Sequence, residues 1–391
     1  MATLRRFHAP LMLLLVLGVG CATPAASPSR APAPAPPATQ ATVADAAKPA
    51  WQQEWEQVLA AARQEGRVVV IGTPGDTIRE AMVGGFRKAY PDVTLEWSGV
   101  RGNDALAKIS AERSAGVTTV DVVLAGTENT ASFRRIDALA PIAPRLLLPE
   151  VTDGSNWLGG QIAYSDRERT YNPVFVSIVP SLLAYNKAQV QPEDIDELRD
   201  LLDPKWKGRL VLHDPNLAGT PQAIARWLWY TQGPDRATEF LRALAAQQPV
   251  VDRETRRELE WVARGRNPIL IGPSDSMHRQ LAKDGLEFGI VNTFKDVGGY
   301  VSPSAGAMLF MQGAPHPNAA TVFMNWLLSR DGQSLYSTTL EQASRRLDAP
   351  RDHLEPASAP RPDVTYWEAF QEDNAKLPPE LDRLLKELFT S

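Results

Sequence analysis

The chain predicts an α/β fold built as two lobes, each a doubly wound sheet of mainly parallel strands. Three observations carry this. Three strand–loop–helix units follow one another between Arg67 and Asn129, the alternation that a parallel sheet produces. The rhythm breaks near Asn156, residues 157–180 carry few helix signals, and alternating elements resume near Asp194. About 340 residues, Trp51 to Ser391, follow the N-terminal segment. That is too many for one small core and right for two lobes or one large domain.

Trp55 to Gly66 has helical apolar spacing and ends on Gly66, a natural stop. Arg67 to Ile71 is a short β-branched run, hence a buried strand. Thr77 to Tyr90 reads as a helix, Val93 to Trp97 as a strand, Ala105 to Ala115 as a helix and Val120 to Leu124 as a third strand. Phe175 to Val179 and Leu182 to Tyr185 read as strands separated by Pro180, where the chain is expected to cross to a second lobe. There, Arg209 to His213 and Pro268 to Ile271 read as strands, and Gln222 to Thr231, Arg236 to Ala246 and Glu254 to Gly265 as helices. Phe288 to Val291 and Ala305 to Met311 carry the chain back, and Ala319 to Ser329 and Gly332 to Thr338 read as helices of the first lobe. The expected boundaries are 51–175 with 300–391 for lobe 1 and 176–299 for lobe 2. Leu377 to Phe389 reads as a short amphipathic helix packed on the first lobe.

The N-terminus is of another kind. Arg5 and Arg6 precede an apolar run from Leu11 to Val19, which is too short to span a membrane and ends in small residues before Cys21. This is the pattern of a secretory signal. Cys21 is the only cysteine of the chain, and its place resembles a bacterial lipobox, although Gly18 stands where an aliphatic residue is usual. The expectation is a signal over 1–21, lipidation of Cys21 and export to the periplasm or cell surface on a lipid anchor. Ala22 to Ala50 is almost entirely Ala, Pro, Thr, Ser and Gln. Such a segment cannot bury enough apolar surface to fold and reads as a disordered spacer.

Without residues 1–20 the chain keeps 39 basic and 46 acidic residues, a net charge of −7. With no basic tract visible, a nucleic-acid partner is not expected.

Several short segments, taken in order, resemble the extracellular solute-binding proteins of ABC importers, in the branch that includes the ferric-iron binders. They are Glu65-Gly66-Arg67-Val68-Val69-Val70, Phe86-Arg87-Lys88-Ala89-Tyr90-Pro91, Leu183-Ala184-Tyr185-Asn186, Leu201-Leu202-Asp203-Pro204-Lys205-Trp206-Lys207-Gly208, Pro315-His316-Pro317-Asn318 and Asn325-Trp326-Leu327-Leu328. The likeness runs from about Trp51 to Leu354. It implies a type II periplasmic-binding-protein-like fold, two lobes joined by hinge strands, with a small solute held between them. It also implies an ABC transporter permease as partner, no cofactor, and a monomer.

Chemistry points to the same cleft. In open parallel sheets, ligands sit beyond the carboxyl ends of the strands. A loop that opens a helix there offers unpaired N–H groups and the positive end of the helix dipole, which suits an anion. The loops that qualify carry Thr73, Gly75 and Asp76 after the first strand, Arg101 and Gly102 after the second, Thr127 and Glu128 after the third, and Ala218, Gly219 and Thr220 ahead of the Trp-rich helix. Arg101 suits a bidentate contact with carboxylate or phosphate. Gly72 to Gly75 is equally a competent turn, and Asp76 or Thr77 a plain helix cap. Ser274 either reaches the cleft or caps its helix, and Tyr300 either touches ligand or packs between lobes.

Iron binders of this branch commonly use paired tyrosines; here no two tyrosines are adjacent. The five histidines lack metal-ligand spacing, and His213, at a strand end, faces the cleft at most as a single ligand. No metal site is therefore expected, and an anionic or polar organic solute leads. Ferric iron, or ligand sensing for a membrane receptor, is the alternative. Catalysis is not expected: the body has no cysteine nucleophile, no Gly-x-Ser-x-Gly elbow and no His-Glu-x-x-His.

Overall fold

The computed structural model describes residues 48–389 apart from 128, 129, 218, 305, 362, 363 and 365. In chain order the strands among them are β1 (Arg67–Gly72), β2 (Thr94–Gly99), β3 (Val122–Ala125), β4 (Leu139–Ala140), β5 (Ala163–Tyr164), β6 (Pro173–Val174), β7 (Leu183–Tyr185), β8 (Leu210–His213), β9 (Val250–Asp252), β10 (Ile269–Ile271), β11 (Gly289–Val291), β12 (Tyr300–Val301), β13 (Ala307–Met311) and β14 (Trp367–Glu368). Two sheets result. The first has the order β2-β1-β3-β13-β6-β5, with β4 on β13; the second is β11-β7-β10-β8-β9.

In the first sheet β1 lies parallel between β2 and β3, as the three strand–loop–helix units require. The returning β13 lies antiparallel to β3. β3 and β13 are buried along their whole lengths, which is why both read as unbroken apolar runs. The helix Pro317–Leu328 is buried at every residue from Ala319 to Leu328. It is apolar all round because it packs between other layers. Its Trp326 and Phe323 meet Phe86 at ring distances of 5.3 and 5.7 Å. At the helix entry the buried Asp121 carboxylate accepts from the backbone N–H of Val69 and of His316, both at 2.7 Å. One acid thus ties β1 to the returning chain.

In the second sheet β8 is parallel to β9 and β10, while β7 is antiparallel to β10 and β11. Its core gathers Leu183, Leu210, Leu212, Ile269 and Trp227 with Leu381, Leu384, Leu385 and Phe389. The last four correct an expectation: the helix Pro379–Leu388 exists, but it packs on the helices of the second sheet, not on the first lobe. The apolar stripe Leu381, Leu384, Leu385 and Leu388 faces the Trp- and Leu-rich helices Thr220–Gln232 and Pro234–Ala246. Asn216 Nδ2 donates to the Phe389 carbonyl at 3.1 Å at the end of the helix.

A second correction concerns 175–179. Regular pairing stops at Val174, and beyond it only single bridges remain, Val176 with Ser344 and Ile178 with Ser302. The segment is crossing between sheets and has no continuous neighbour. Ile178 and Ser302 exchange both backbone hydrogen bonds at 2.9 Å, so the outgoing and returning strands are paired where they cross. β14 runs parallel to β12 beside this crossing. The third helix starts at Gly102, three residues before the sequence expectation.

Candidate ligand-binding cleft

Beside the crossing strands lie two adjoining chambers of about 440 and 310 Å³. Both are lined by Ile178, Gly219, Thr220, Asp275 and Ser304. The second sheet supplies most of the larger one, because β8 and β10 run parallel and deliver their following loops to the same end. The helices Thr220–Gln232, Thr255–Ala263 and Asp275–Lys283 all present their first residue to this chamber. The first two have no side-chain cap; Ser274 caps the third, accepting from the Met277 N–H at 3.4 Å. Three N-termini directed at one space put several unpaired N–H groups and three positive dipole ends there.

Gly272 makes this convergence possible. It has φ +77°, and a Cβ on it would come within 2.3 Å of Pro221 Cγ, at the first turn of the Thr220 helix. Gly272→Ala is expected to destabilise by about 2 kcal/mol from the left-handed backbone and the contact together. Chemical denaturation checks this, and loss of ligand affinity should accompany it.

The charges are mixed. His213, Arg226 and Arg279 are positive or can become so, and Asp275 and Glu341 are negative. Both acids have partners within the protein. Asp275 accepts the Ser181 N–H at 3.0 Å, and Glu341 lies 3.6 Å from Lys283. The guanidinium of Arg279 has no such partner among the described residues. Arg226 donates to the Asn374 carbonyl at 2.8 Å, while its Nε is buried with no hydrogen-bond partner. Burial holds its pKa below the usual arginine range. His213 Nδ1 lies 2.8 Å from Glu258 Oε1, and the hydrogen bond to this carboxylate raises the imidazole pKa against the opposing effect of burial.

Segments outside the second sheet add hydroxyls and an amide: Thr127, Ser302, Ser304, Gln342 and Ser358. The smaller chamber is closed on one side by Ala369, Phe370 and Ala375 of the C-terminal segment. Phe370 is buried among Val179, Val301 and Ala307.

Of the residues the sequence singled out, Thr127, Gly219, Thr220, Ser274 and Tyr300 line the chambers. Tyr300 does so as a buried residue: its ring packs at 6.0 Å from Trp227, its hydroxyl hydrogen-bonds with Thr220, and burial drives its pKa far up. Thr73, Gly75, Asp76, Arg101 and Gly102 sit at the carboxyl ends of β1 and β2 but do not line either chamber. Thr73 Oγ1 lies 3.4 Å from the Tyr336 hydroxyl, Asp76 pairs with Arg79 at 3.1 Å, and Arg101 is an exposed residue preceding its helix. Glu128, Ala218 and Cys21 lie outside the described residues. Sequence reasoning missed Arg226 and Arg279. The first was legible, since Thr220, Ala223 and Arg226 are spaced by three on one helix face and all line the second chamber.

Comparison with known proteins fits this architecture. The family model described as bacterial extracellular solute-binding protein matches residues 150–367. An uncharacterised protein of Haemophilus influenzae is 23% identical over 288 residues, 71% of this chain and 77% of that one. Among solved structures, Trichodesmium IdiA (FutA), in complex with iron and citrate, aligns with a TM-score of 0.61 at 17% identity, covering 83% of this chain and 99% of that one. The periplasmic binding protein AfuA of Actinobacillus pleuropneumoniae, with fructose-6-phosphate bound, aligns with a TM-score of 0.54 at 17% identity, covering 83% and 98%. These likenesses show the fold, that of type II periplasmic binding proteins.

Proposed function

Because the chain belongs to the bacterial extracellular solute-binding protein family, we propose that it captures a small organic anion between its lobes and delivers it to an ABC permease. The observation that supports this most is the convergence on one chamber of three helix N-termini with Arg279, whose guanidinium has no partner among the described residues. Phosphate and carboxylate groups suit such a place, and the chamber of about 440 Å³ suits a metabolite of sugar or citrate size. Capture acts by population shift: a ligand that contacts both lobes favours the closed arrangement. The site is read as a binding site, in keeping with a family of solute-binding proteins. Lipidation at Cys21 would hold the body at a membrane, with 22–50 as spacer.

Ferric iron is the second reading, since the Trichodesmium protein holds iron together with citrate. The donors here favour the anion. No three His, Cys, Asp or Glu side chains cluster as a metal site among the described residues. Among the described residues, Tyr300 is the tyrosine that lines the chambers, and it is a buried phenol already hydrogen-bonded with Thr220.

Thermal denaturation with citrate, inorganic phosphate, fructose 6-phosphate, ferric citrate and fructose separates the readings. An anion that binds is expected to stabilise by about 2.7 kcal/mol at one hundred times its Kd. Stabilisation by fructose alone, or by iron in every form irrespective of the anion, would overturn the proposal.

A further inference from the structure

Resting on the anion-capture reading, we propose that His213 is a specificity-determining residue of the cleft, held by the buried Glu258 so that its Nε2–H donates to a negatively charged group of the ligand. The geometry is that of an oriented imidazole. His213 ends β8 and lines the larger chamber. Its Nδ1 is 2.8 and 3.0 Å from the two oxygens of Glu258. The Glu258 side chain is fully buried, and His213 is its one hydrogen-bond partner among the described residues. A carboxylate taken wholly out of water needs a cationic or donating partner, and here only the imidazole supplies one. Nδ1 therefore carries a proton toward Glu258. Nε2 has no protein partner among the described residues and is left for the chamber.

In the imidazolium both nitrogens donate, so the protonated form presents an N–H to the ligand. The neutral form, with its proton kept on Nδ1, presents a lone pair that repels an anion. The surrounding charges settle which form prevails. Glu258 lies behind the ring on the Thr255–Ala263 helix, and Asp252 pairs in register with His213 on β9. Asp252 is held by Arg257 at 2.7 Å, and Asp214, next in the chain, by Arg253 at 2.8 Å. Asp275 and Arg279 face the same chamber from the third helix, and Glu341 faces it from the first lobe. The hydrogen bond to Glu258 raises the imidazole pKa, burial opposes it, and the charges of Glu258, Asp214 and Asp252 add to the rise. A raised folded-state pKa keeps the cation below the ordinary imidazole value and loses it as pH rises through the raised one. Affinity for an anion should fall over the same interval.

Sulfate is the cleanest probe of pH dependence, because its charge does not change between pH 5.5 and 9; fructose 6-phosphate is the second probe. Calorimetry on the wild-type protein is expected to show binding roughly tenfold tighter at pH 5.5 than at pH 9, the size of one charge-assisted hydrogen bond. His213→Gln is expected to bind about tenfold more weakly at pH 5.5 and to lose the slope. If His213→Gln binds as tightly and with the same slope, the assignment to His213 falls while anion capture stands. If the wild-type protein binds neither probe, both fall. Should the variant not fold, the His213 Cε1–H resonance of the wild-type protein decides: a midpoint at or below about 6.5 overturns the proposal. A midpoint above it that rises further with sulfate supports it.

Discussion

Ending the chain at Pro378 is expected to leave the second lobe unable to fold. The lost segment carries Leu381, Leu384, Leu385 and Phe389, which are 0, 7, 1 and 2% exposed. They share one core with Leu212, Trp227 and Leu241. Emptying a single such site costs about 2–5 kcal/mol, and several together exceed the 5–15 kcal/mol that holds a typical domain. Truncation would also uncover the apolar sides of the Thr220–Gln232 and Pro234–Ala246 helices, a patch that favours aggregation. The first sheet and its core at Phe86, Phe323 and Trp326 do not include these residues, so partial folding should survive. Thermal melting followed by circular dichroism should show a reduced transition with part of the amplitude gone. Leu385→Ala should remove about 2–5 kcal/mol in urea, and the half-buried Leu388 less. A truncated protein that melts with the amplitude and midpoint of the intact one would return this helix to the periphery.

Arg346→Ala is expected to destabilise the first lobe by about 2–4 kcal/mol, because it removes a fully buried guanidinium and leaves the Leu328 carbonyl without a partner, while the exposed Asp348 carboxylate can turn to water. The Arg346 side chain is 1% exposed. It donates from Nε and Nη2 to Asp348, both at 2.8 Å, and from Nη1 to the Glu150 and Leu328 carbonyls at 2.9 and 3.1 Å. Its guanidinium also lies 5.5 Å from the Trp157 ring centre. One side chain thereby joins three stretches of chain around the first core. Arg346→Lys cannot restore this fork of donors and should recover little. The pH dependence follows from Asp348, whose carboxyl the Arg346 hydrogen bonds hold below the usual range. A lowered folded-state pKa gives stability that is complete above the ordinary carboxylate value and lost as pH falls through the lowered one. Asp348→Asn should therefore flatten the acid limb of the stability profile. Urea titrations at pH 7 and pH 3 measure both effects. A loss under 1 kcal/mol for Arg346→Ala would contradict the assigned role.

Much of this fold was legible before any coordinates. β1 and β3 announced themselves because each is short, β-branched and followed by a helix signal, as buried parallel strands are, while the edge strand β2 alternates buried and exposed residues. The alternative partners of the C-terminal helix were not legible. Its stripe of leucines shows that one face is buried but carries nothing about which of two apolar surfaces receives it. Likewise the crossing at 175–179 has strand-forming residues, yet pairing depends on neighbours that only the tertiary arrangement supplies. In the cleft, loops that open helices were findable from Gly, Thr and Ser at strand ends, and Thr127, Gly219, Thr220 and Ser274 line it. Arg279 was not legible because it reaches the chamber from the second turn of a helix, beyond the loop that follows the strand. His213 was legible at a strand end facing the cleft, but only as a lone metal ligand. Its orientation depends on Glu258, which is 45 residues away in the chain and fully buried.

The most direct test of an anion held at the converging helix ends is amide hydrogen exchange with and without saturating citrate or fructose 6-phosphate. Protection is expected in the first turns of the helices beginning at Thr220, Thr255 and Asp275, and in the crossing segments around Ile178 and Ser302. Binding seen by calorimetry with no protection at these amides, or with protection confined to the outer faces of the lobes, would contradict the account.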